Sequence, residues 1–196
     1  SEVFTQFERA ATRTAKILYE FFASLDGDAA KSIVLESDIL DVRPLDVPVP
    51  ISAIITSPPY PNAYEYWLYH KYRMYWLGMD PIGVREREIG ARPHYFKKNA
   101  HTPADFERQM SNCFALAASV IEPQAPVCFL VGRSIIRGEV IDNAALLERA
   151  ARPHGFQLEE RIDRVIPARR KSFNPSHGTI NEEHILVFRL GQQCPS

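Results

Sequence analysis

Cysteine is scarce in this sequence, and its three cysteines, Cys113, Cys128 and Cys194, lie far apart. That number and spacing exclude a disulfide framework and a cysteine-based zinc site. No apolar run approaches the roughly 18 residues that span a bilayer, and the N-terminus has neither the basic start nor the apolar stretch of a signal peptide. The sequence therefore indicates a soluble cytoplasmic protein with no membrane partner.

Net charge is also almost absent, because 23 Lys and Arg residues face 24 Asp and Glu residues. The chain as a whole has no positive field that would attract nucleic acid, so any contact with phosphates must be local. Two clusters could make such contacts: Arg133 with Arg137, and the run Arg169-Arg170-Lys171. An ordinary solvated surface is the alternative for both.

Several familiar site motifs are missing too. The histidines show no paired spacing typical of a metal site, so no metal is predicted. The chain has no phosphate-binding loop and no dinucleotide fingerprint. A hydrolase elbow around Ser134 is incomplete because residue 136 is Ile.

The chain does contain an alternation of helical and strand-like segments, and its 45% apolar content suffices for one substantial core. Apolar spacing predicts helices over residues 3–25, 64–77, 103–121 and about 140–151. Strands are predicted over residues 32–35, 51–56, 127–131, 157–166 and 184–190, the last two forming an antiparallel hairpin. We expect an α/β sheet flanked by helices, in a single domain over residues 1–196 with an N-terminal helix in 1–30 and the core in 31–190. The aromatic residues of the second helix are most simply explained by core packing.

The tetrapeptide Ser57-Pro58-Pro59-Tyr60 stands directly after the predicted strand 51–56. In open α/β sheets, ligands bind beyond the carboxyl ends of the strands. The two prolines remove backbone donors and fix φ, which turns carbonyl groups outward, and Tyr60 can stack on a flat ring. Acceptors beside a stacking surface suit an amine on a heterocyclic base. A simple turn that ends the strand is the alternative.

This tetrapeptide resembles the Asp/Asn/Ser-Pro-Pro-Tyr motif of the amino-methyltransferases that modify exocyclic nitrogens of bases, and the Ser form is usual in those that act on cytosine N4. The resemblance implies a Rossmann-like methyltransferase sheet, S-adenosyl-L-methionine as cofactor and double-stranded DNA as partner. It implies that Ser57 and the Pro58 carbonyl bind the target amine, that Pro59 shapes the loop, and that Tyr60 stacks on the flipped base. Methyl transfer would be a direct in-line displacement in which positioning is the main contribution of the enzyme.

Further segments carry the same resemblance, which runs from about Ser32 to Leu190. Ile33-Val34-Leu35 followed by Asp38 resembles the strand whose terminal acid holds the cofactor's adenine, and Thr56 is placed with Asp38 at the cofactor. A turn former or helix cap is the alternative for Asp38. Tyr64 or Tyr66 could line the base pocket. The family's DNA contacts would fall on Tyr64, Arg133, Arg137, Arg169, Arg170 and Lys171.

The sequence departs from the family in one respect, because the Gly-rich loop that cradles the methionine part of the cofactor is missing. We therefore expect a sheet that is incomplete at its N-terminal cofactor-binding half, with the loop supplied by an upstream segment or a second chain. A DNA methyltransferase specific for cytosine N4 is the preferred interpretation. Adenine N6, an RNA base amine, and a non-catalytic nucleic-acid-binding subunit remain alternatives.

Overall fold

The computed structural model describes residues 2–24, 32–62, 64–96, 100–165 and 182–191. The chain divides into two compact units, Ser1–Ser37 and Asp38–Ser196. In the first unit, helix α1 covers Glu2–Ala23, and its side chains are all exposed although its apolar residues recur at helical spacing. The predicted strand over residues 32–35 is wrong, because residues 32–36 form no regular element. The single-domain organisation stays a prediction.

The second unit is built on a four-stranded sheet. Its strands are β1 (Ile54–Thr56), β2 (Val127–Gly132), β5 (Phe156–Val165) and β6 (Glu182–Leu190). They lie in the order β1-β2-β6-β5, with β1 parallel to β2 and β6 antiparallel to both of its neighbours. A separate small hairpin joins β3 (Ser134–Ile136) to β4 (Glu139–Ile141) directly after β2. The carboxyl ends of β1 and β2 therefore lie at the same end of the sheet, beside the start of β6.

Among its described residues this unit has four α-helices: α2 (Tyr66–Trp76), α3 (Pro81–Arg87), α4 (Pro103–Val120) and α5 (Asn143–Ala151). Helix α4 begins with a capping box, in which Thr102 and Asp105 satisfy each other's backbone amides, and Pro103 occupies its first turn. Asp142 caps α5 by accepting from the amides of Ala144 and Ala145.

The core lies where α4 and α5 pack on β2, β5 and β6. Phe114 of α4 stands at its centre, with its ring centroid 5.0 Å from that of Phe129 and 5.4 Å from those of Phe156 and Phe188. Such aromatic pairs contribute about 0.5–1.5 kcal/mol each beyond the burial of their area. On β2 and β6 the buried residues alternate along the strand, as expected for strands with one face on a core.

The predicted α/β class and the closing antiparallel hairpin are confirmed by this sheet. The expectation that the aromatic residues of the second helix pack in the core is wrong, because α2 has no buried residue. Helix α3 and the β3–β4 hairpin were not predicted. Within the described parts of the chain, no helix combines the length and the apolar character needed to cross a membrane.

Candidate functional site

The Ser57-Pro58-Pro59-Tyr60 loop follows β1 without interruption and is anchored by its prolines. Pro58 is buried and so is Pro61, the residue after the motif, whereas Ser57 is exposed. Tyr60 is half-buried, with part of its ring packed against the apolar core. The loop therefore holds the Ser57 hydroxyl at the surface on a backbone that two buried proline rings hold in place.

A second segment, Glu88 to Ala91, holds this loop from the side. The amide of Asn62 donates to the carbonyl of Gly90 over 2.9 Å, and the side-chain amide of Asn62 donates to the carbonyl of Ile135 over 2.5 Å. Gly90 has φ +74°, and a Cβ there would lie 3.0 Å from the carbonyl oxygen of Tyr60. Only glycine combines that backbone conformation with so close an approach.

Glu88 connects the same segment to the start of α2. Its carboxylate accepts from the backbone amides of Tyr66 and Trp67, each over 2.8 Å. The first amides of a helix have no partner within the helix and carry the positive end of its dipole, so a carboxylate there stabilises the helix start. The N-cap residue Glu65 makes no such side-chain bond, and Glu88 takes over its role although it lies 22 residues beyond Tyr66 in the sequence.

The hydroxyl of Tyr60 lies among groups from β2 and β6. Burial raises the pKa of Tyr60 to about 12, and the negative charge of Glu183 acts in the same direction, while a hydrogen bond from the Gly132 amide opposes them. Buried Asn143 fixes the end of β2, because its side-chain amide donates to the Gly132 carbonyl and to Ser134 Oγ, each over 2.7 Å. Tyr60 is therefore a neutral phenol over the ordinary pH range, held by the tip of β2.

Beyond Gly132, the start of β6 carries a cluster of mixed charge. His184 is buried, and its Nδ1 lies 2.7 Å from the carboxylate of Asp163, which the Arg161 Nε also contacts at 3.1 Å. Hydrogen bonds from His184 and Arg161 lower the pKa of Asp163. Asp163, Glu182 and His184 offer ligand atoms within 4.8 Å of one another. Arg161 already pairs with Asp163 and Arg133 with Glu182, so we assign this group to linking β5 to β6.

The two residues predicted at the cofactor, Thr56 and Asp38, have different surroundings. Thr56 is half-buried at the end of β1. The Asp38 carboxylate accepts from the Leu40 amide and from Arg87 Nε, each over 2.9 Å. Arg87 also pairs with Asp41. In this structure Asp38 is a turn former in an ion-paired cluster, and its role at a cofactor stays a prediction.

The predicted DNA-contacting residues are only partly described. Tyr64 is exposed, with its ring 5.9 Å from that of Tyr66, beside the site. Arg133 is exposed at the end of β2 and lies 3.5 Å from Glu182. Arg137 is exposed at the β3–β4 turn with φ 53°. The run Arg169, Arg170 and Lys171 lies outside the described residues, and every one of these roles stays a prediction.

Four residues that position the loop were not singled out from the sequence: Asn62, Glu88, Gly90 and Asn143. Glu88 and Gly90 fall within the stretch from Ser32 to Leu190 that carries the resemblance, but no role followed from it. One signal pointed to Gly90, since a glycine between two apolar residues often marks a close backbone approach. For Glu88 and Asn143 there was no signal, because their partners are distant in the sequence.

Comparisons with known proteins give the following result. No family model matches the chain, and no curated protein does. Similar solved structures include those of TTHA0409, a proposed DNA modification methylase of Thermus thermophilus. One is 18% identical with a TM-score of 0.46 and covers 82% of this chain and 55% of that chain. Its complex with S-adenosyl-L-methionine is 14% identical with a TM-score of 0.38, covering 76% and 51%. The chain thus spans about half the length of that protein.

Proposed function

We propose that this chain carries the base-binding half of a DNA methyltransferase that transfers a methyl group from S-adenosyl-L-methionine to an exocyclic base amine, cytosine N4 preferred. One observation carries the proposal. The Ser57 hydroxyl stands exposed on a proline-anchored loop at the carboxyl end of a parallel strand, with the Tyr60 ring three residues away.

The chemistry assigned to the chain's own residues is positioning. Ser57 Oγ and the Pro58 carbonyl accept hydrogen bonds from the two N–H groups of the amine, which localises its lone pair on nitrogen. The exposed part of the Tyr60 ring stacks on the base and fixes the plane of the ring. Tyr60 needs no ionisation for this role, in agreement with its raised pKa. Holding the amine in line for attack is a contribution of several kcal/mol in favourable cases.

The methyl donor would meet this loop from the side of β1. S-adenosyl-L-methionine supplies an electrophilic methyl group when bound. The described residues offer only part of a site for it, because Thr56 lies at the tip of β1 while the carboxylate of Asp38 is already bonded to Leu40 and Arg87. We assign the rest of that site to a segment or second chain that carries the Gly-rich loop.

The free edge of β1 supports this assignment. Within the described residues, β1 pairs only with β2, and Ile55 on it is 84% exposed. The unpaired backbone groups at such an edge favour pairing with a further strand, and the exposed Ile55 side chain marks a face of β1 that a further element can cover. The proposed segment therefore adds to the sheet beside β1.

One observation favours a second candidate, a non-catalytic nucleic-acid-binding subunit. The ion pair between Asp38 and Arg87 leaves the proposed adenine contact already occupied. Calorimetric titration with S-adenosyl-L-methionine up to millimolar cofactor, on the chain together with the segment or second chain that carries the Gly-rich loop, separates the two candidates. Binding supports the methyltransferase, and its absence even in that complex supports the subunit.

Product analysis tests the reaction itself. The chain, together with the segment or second chain that carries the Gly-rich loop, is incubated with millimolar S-adenosyl-L-methionine and either duplex DNA or RNA, and the digested nucleic acid is analysed by mass spectrometry. We expect N4-methylcytosine, with Ser57→Ala reducing its yield at least tenfold and Ser52→Ala, at another exposed serine, leaving it unchanged. Formation of N6-methyladenine would show that the target is adenine N6, and methylation of RNA alone would show that the substrate is RNA. Equal yields from the two serine variants would overturn the role of Ser57.

A further inference from the structure

Helix α2 presents an unusual surface directly beside the site. More than half of its residues, YWLYHKYRMYW, are Tyr or Trp, and none of its residues is buried. Tyr69 is 71% exposed, Tyr72 70% and Trp76 91%. Exposed aromatic groups in such number mark a binding surface, because scattered single apolar residues are the ordinary case for a protein surface.

These aromatic residues share one face of the helix. Tyr69, Tyr72 and Trp76 stand at positions i, i+3 and i+7, and Tyr66 and Arg73 flank them. We call these five residues the α2 face. Successive rings among these three are separated by a helix rise of about 4.5 and 6 Å, which is wider than the roughly 3.4 Å between stacked bases of a duplex strand. The rings of the α2 face are therefore spaced for bases that are unstacked from one another.

The charge of α2 selects the kind of partner. The helix contains Lys71 and Arg73 and has no acidic residue. The Lys71 ammonium lies 4.9 Å from the centroid of the Tyr72 ring, and an Arg73 guanidinium nitrogen lies 2.8 Å from His70 Nδ1. Cations interleaved with exposed rings are the composition of a surface for single-stranded nucleic acid, where cations meet phosphates and rings stack on bases.

The α2 face also begins at the proposed base site. The Tyr66 ring lies 5.9 Å from that of Tyr64, and both tyrosines lie close enough to Tyr60 to raise its pKa. The amides of Tyr66 and Trp67 are held by Glu88, whose neighbour Gly90 contacts Tyr60. A strand lying on the α2 face therefore leads to Tyr60, three residues after Ser57 in the motif loop.

We infer that the α2 face binds an unpaired strand of the nucleic acid and delivers it to the Ser57 loop. This rests on the proposed function in one respect, namely that the target base belongs to a nucleic acid. The occupant is an unpaired strand because the faces of bases are available to Tyr and Trp rings only where the bases are unstacked from a duplex. The cations at Lys71 and Arg73 fix its backbone.

Binding of a fluorescently labelled dT12 oligonucleotide to the full chain tests the inference, with fluorescence anisotropy as the readout. We expect Tyr72→Ala and Trp76→Ala each to weaken binding roughly 5- to 100-fold, the range for loss of one stacked base. Tyr19→Ala, at a tyrosine that is 77% exposed on α1, is the matched control and should leave binding unchanged. Arg73→Gln should reduce the dependence of log Kd on log salt by about 0.7.

The outcomes separate this inference from the proposed function, because dT12 binding requires no methyl transfer. Ser57→Ala should keep dT12 binding while it loses methylation. If no methylated base forms but dT12 binding still depends on Tyr72 and Trp76, the proposed reaction is wrong, whereas strand binding by the α2 face is supported. Equal dT12 affinity in Tyr72→Ala, Trp76→Ala and Tyr19→Ala would overturn the α2 face. Self-association that Trp76→Ala abolishes, without dT12 binding, would overturn it in favour of a second copy of the chain.

Discussion

Gly90 lies directly against the backbone of Tyr60, so that a Cβ at Gly90 would stand 3.0 Å from the Tyr60 carbonyl oxygen and 3.1 Å from its carbonyl carbon. The contact is between two main-chain segments, and neither can give way as a flexible side chain would. The position of the stacking tyrosine therefore depends on the absence of a side chain 30 residues further along the sequence.

Gly90→Ala should lower methyl transfer roughly tenfold or more, since a displacement of the loop by less than an ångström misplaces the target amine. Gly78→Ala is the matched control, because Gly78 has nearly the same φ, +72°, and a Cβ there would meet nothing within 4 Å. Both variants share a cost in unfolding free energy of about 1–2 kcal/mol for a left-handed alanine. Steady-state kinetics and urea unfolding on both variants check this. Equal activity in the two would remove the positioning role of Gly90.

Glu88→Gln should weaken the start of α2, because each carboxylate oxygen accepts from one helix amide, and the Gln side chain replaces one of these oxygens with an NH2 donor. We expect a loss in unfolding free energy of about 1 kcal/mol, the usual cost of losing a helix cap. Glu65→Gln serves as control, because the Glu65 side chain makes no capping bond. Urea unfolding measures both variants. If Glu65→Gln lowers the unfolding free energy as much as Glu88→Gln does, the loss of a negative charge on this surface, and not the loss of the cap, explains the effect.

Tyr60→Phe should retain most methylation because the stacking ring remains, whereas Tyr60→Ala should lose most of it. The Tyr60 phenol also affects how the unfolding free energy depends on pH. Its pKa is raised to about 12 in the folded chain, against about 10 when unfolded, so the neutral phenol stabilises the fold below pH 10 and that contribution is lost as pH rises to 12. Unfolding free energies from pH 8 to 11.5 should therefore fall more for the native chain than for Tyr60→Phe. Parallel curves would contradict the burial of this hydroxyl.

The sequence correctly predicted those elements that are marked by residues of the element itself. Helix α4 was predicted within one residue because its apolar residues recur at helical spacing after Pro103, and β2 because Val127 to Val131 is a continuous apolar run. The strand predicted at residues 32–35 was wrong because β propensity is expressed only where a neighbouring strand pairs with it. The α2 aromatics were assigned to a core because apolar periodicity does not reveal what a helix faces. The motif loop was predicted from its own residues, but its supports, Glu88 and Asn143, act across distant segments.

Asn143→Ala should destabilise the chain by about 2–3 kcal/mol, because it leaves the Gly132 carbonyl and Ser134 Oγ without a buried donor. The same change frees the tip of β2, whose amide bonds the Tyr60 hydroxyl. Asp142→Ala, which removes only the α5 cap, should cost about 1 kcal/mol. Thermal and urea unfolding compare the two neighbouring positions. A smaller effect at Asn143 than at Asp142 would contradict its role at the end of β2.

Asp105→Asn should cost stability at neutral pH and almost none in acid. The hydrogen bond from the Thr102 amide is the main cause that lowers the pKa of Asp105 to about 2, with help from the Thr102 hydroxyl and Arg108. A carboxyl whose folded pKa is lowered contributes its stability above the unfolded value of about 3.9 and loses it as pH falls toward 2. The difference in unfolding free energy between the native chain and Asp105→Asn should thus be about 1 kcal/mol at pH 7 and shrink steadily between pH 4 and 2.

Arg108→Gln, which removes only an exposed ion pair at 2.9 Å, should cost less than about 0.5 kcal/mol across that range. A difference for Asp105→Asn that does not change with pH would show that the capping box does not depend on the charge of this carboxylate.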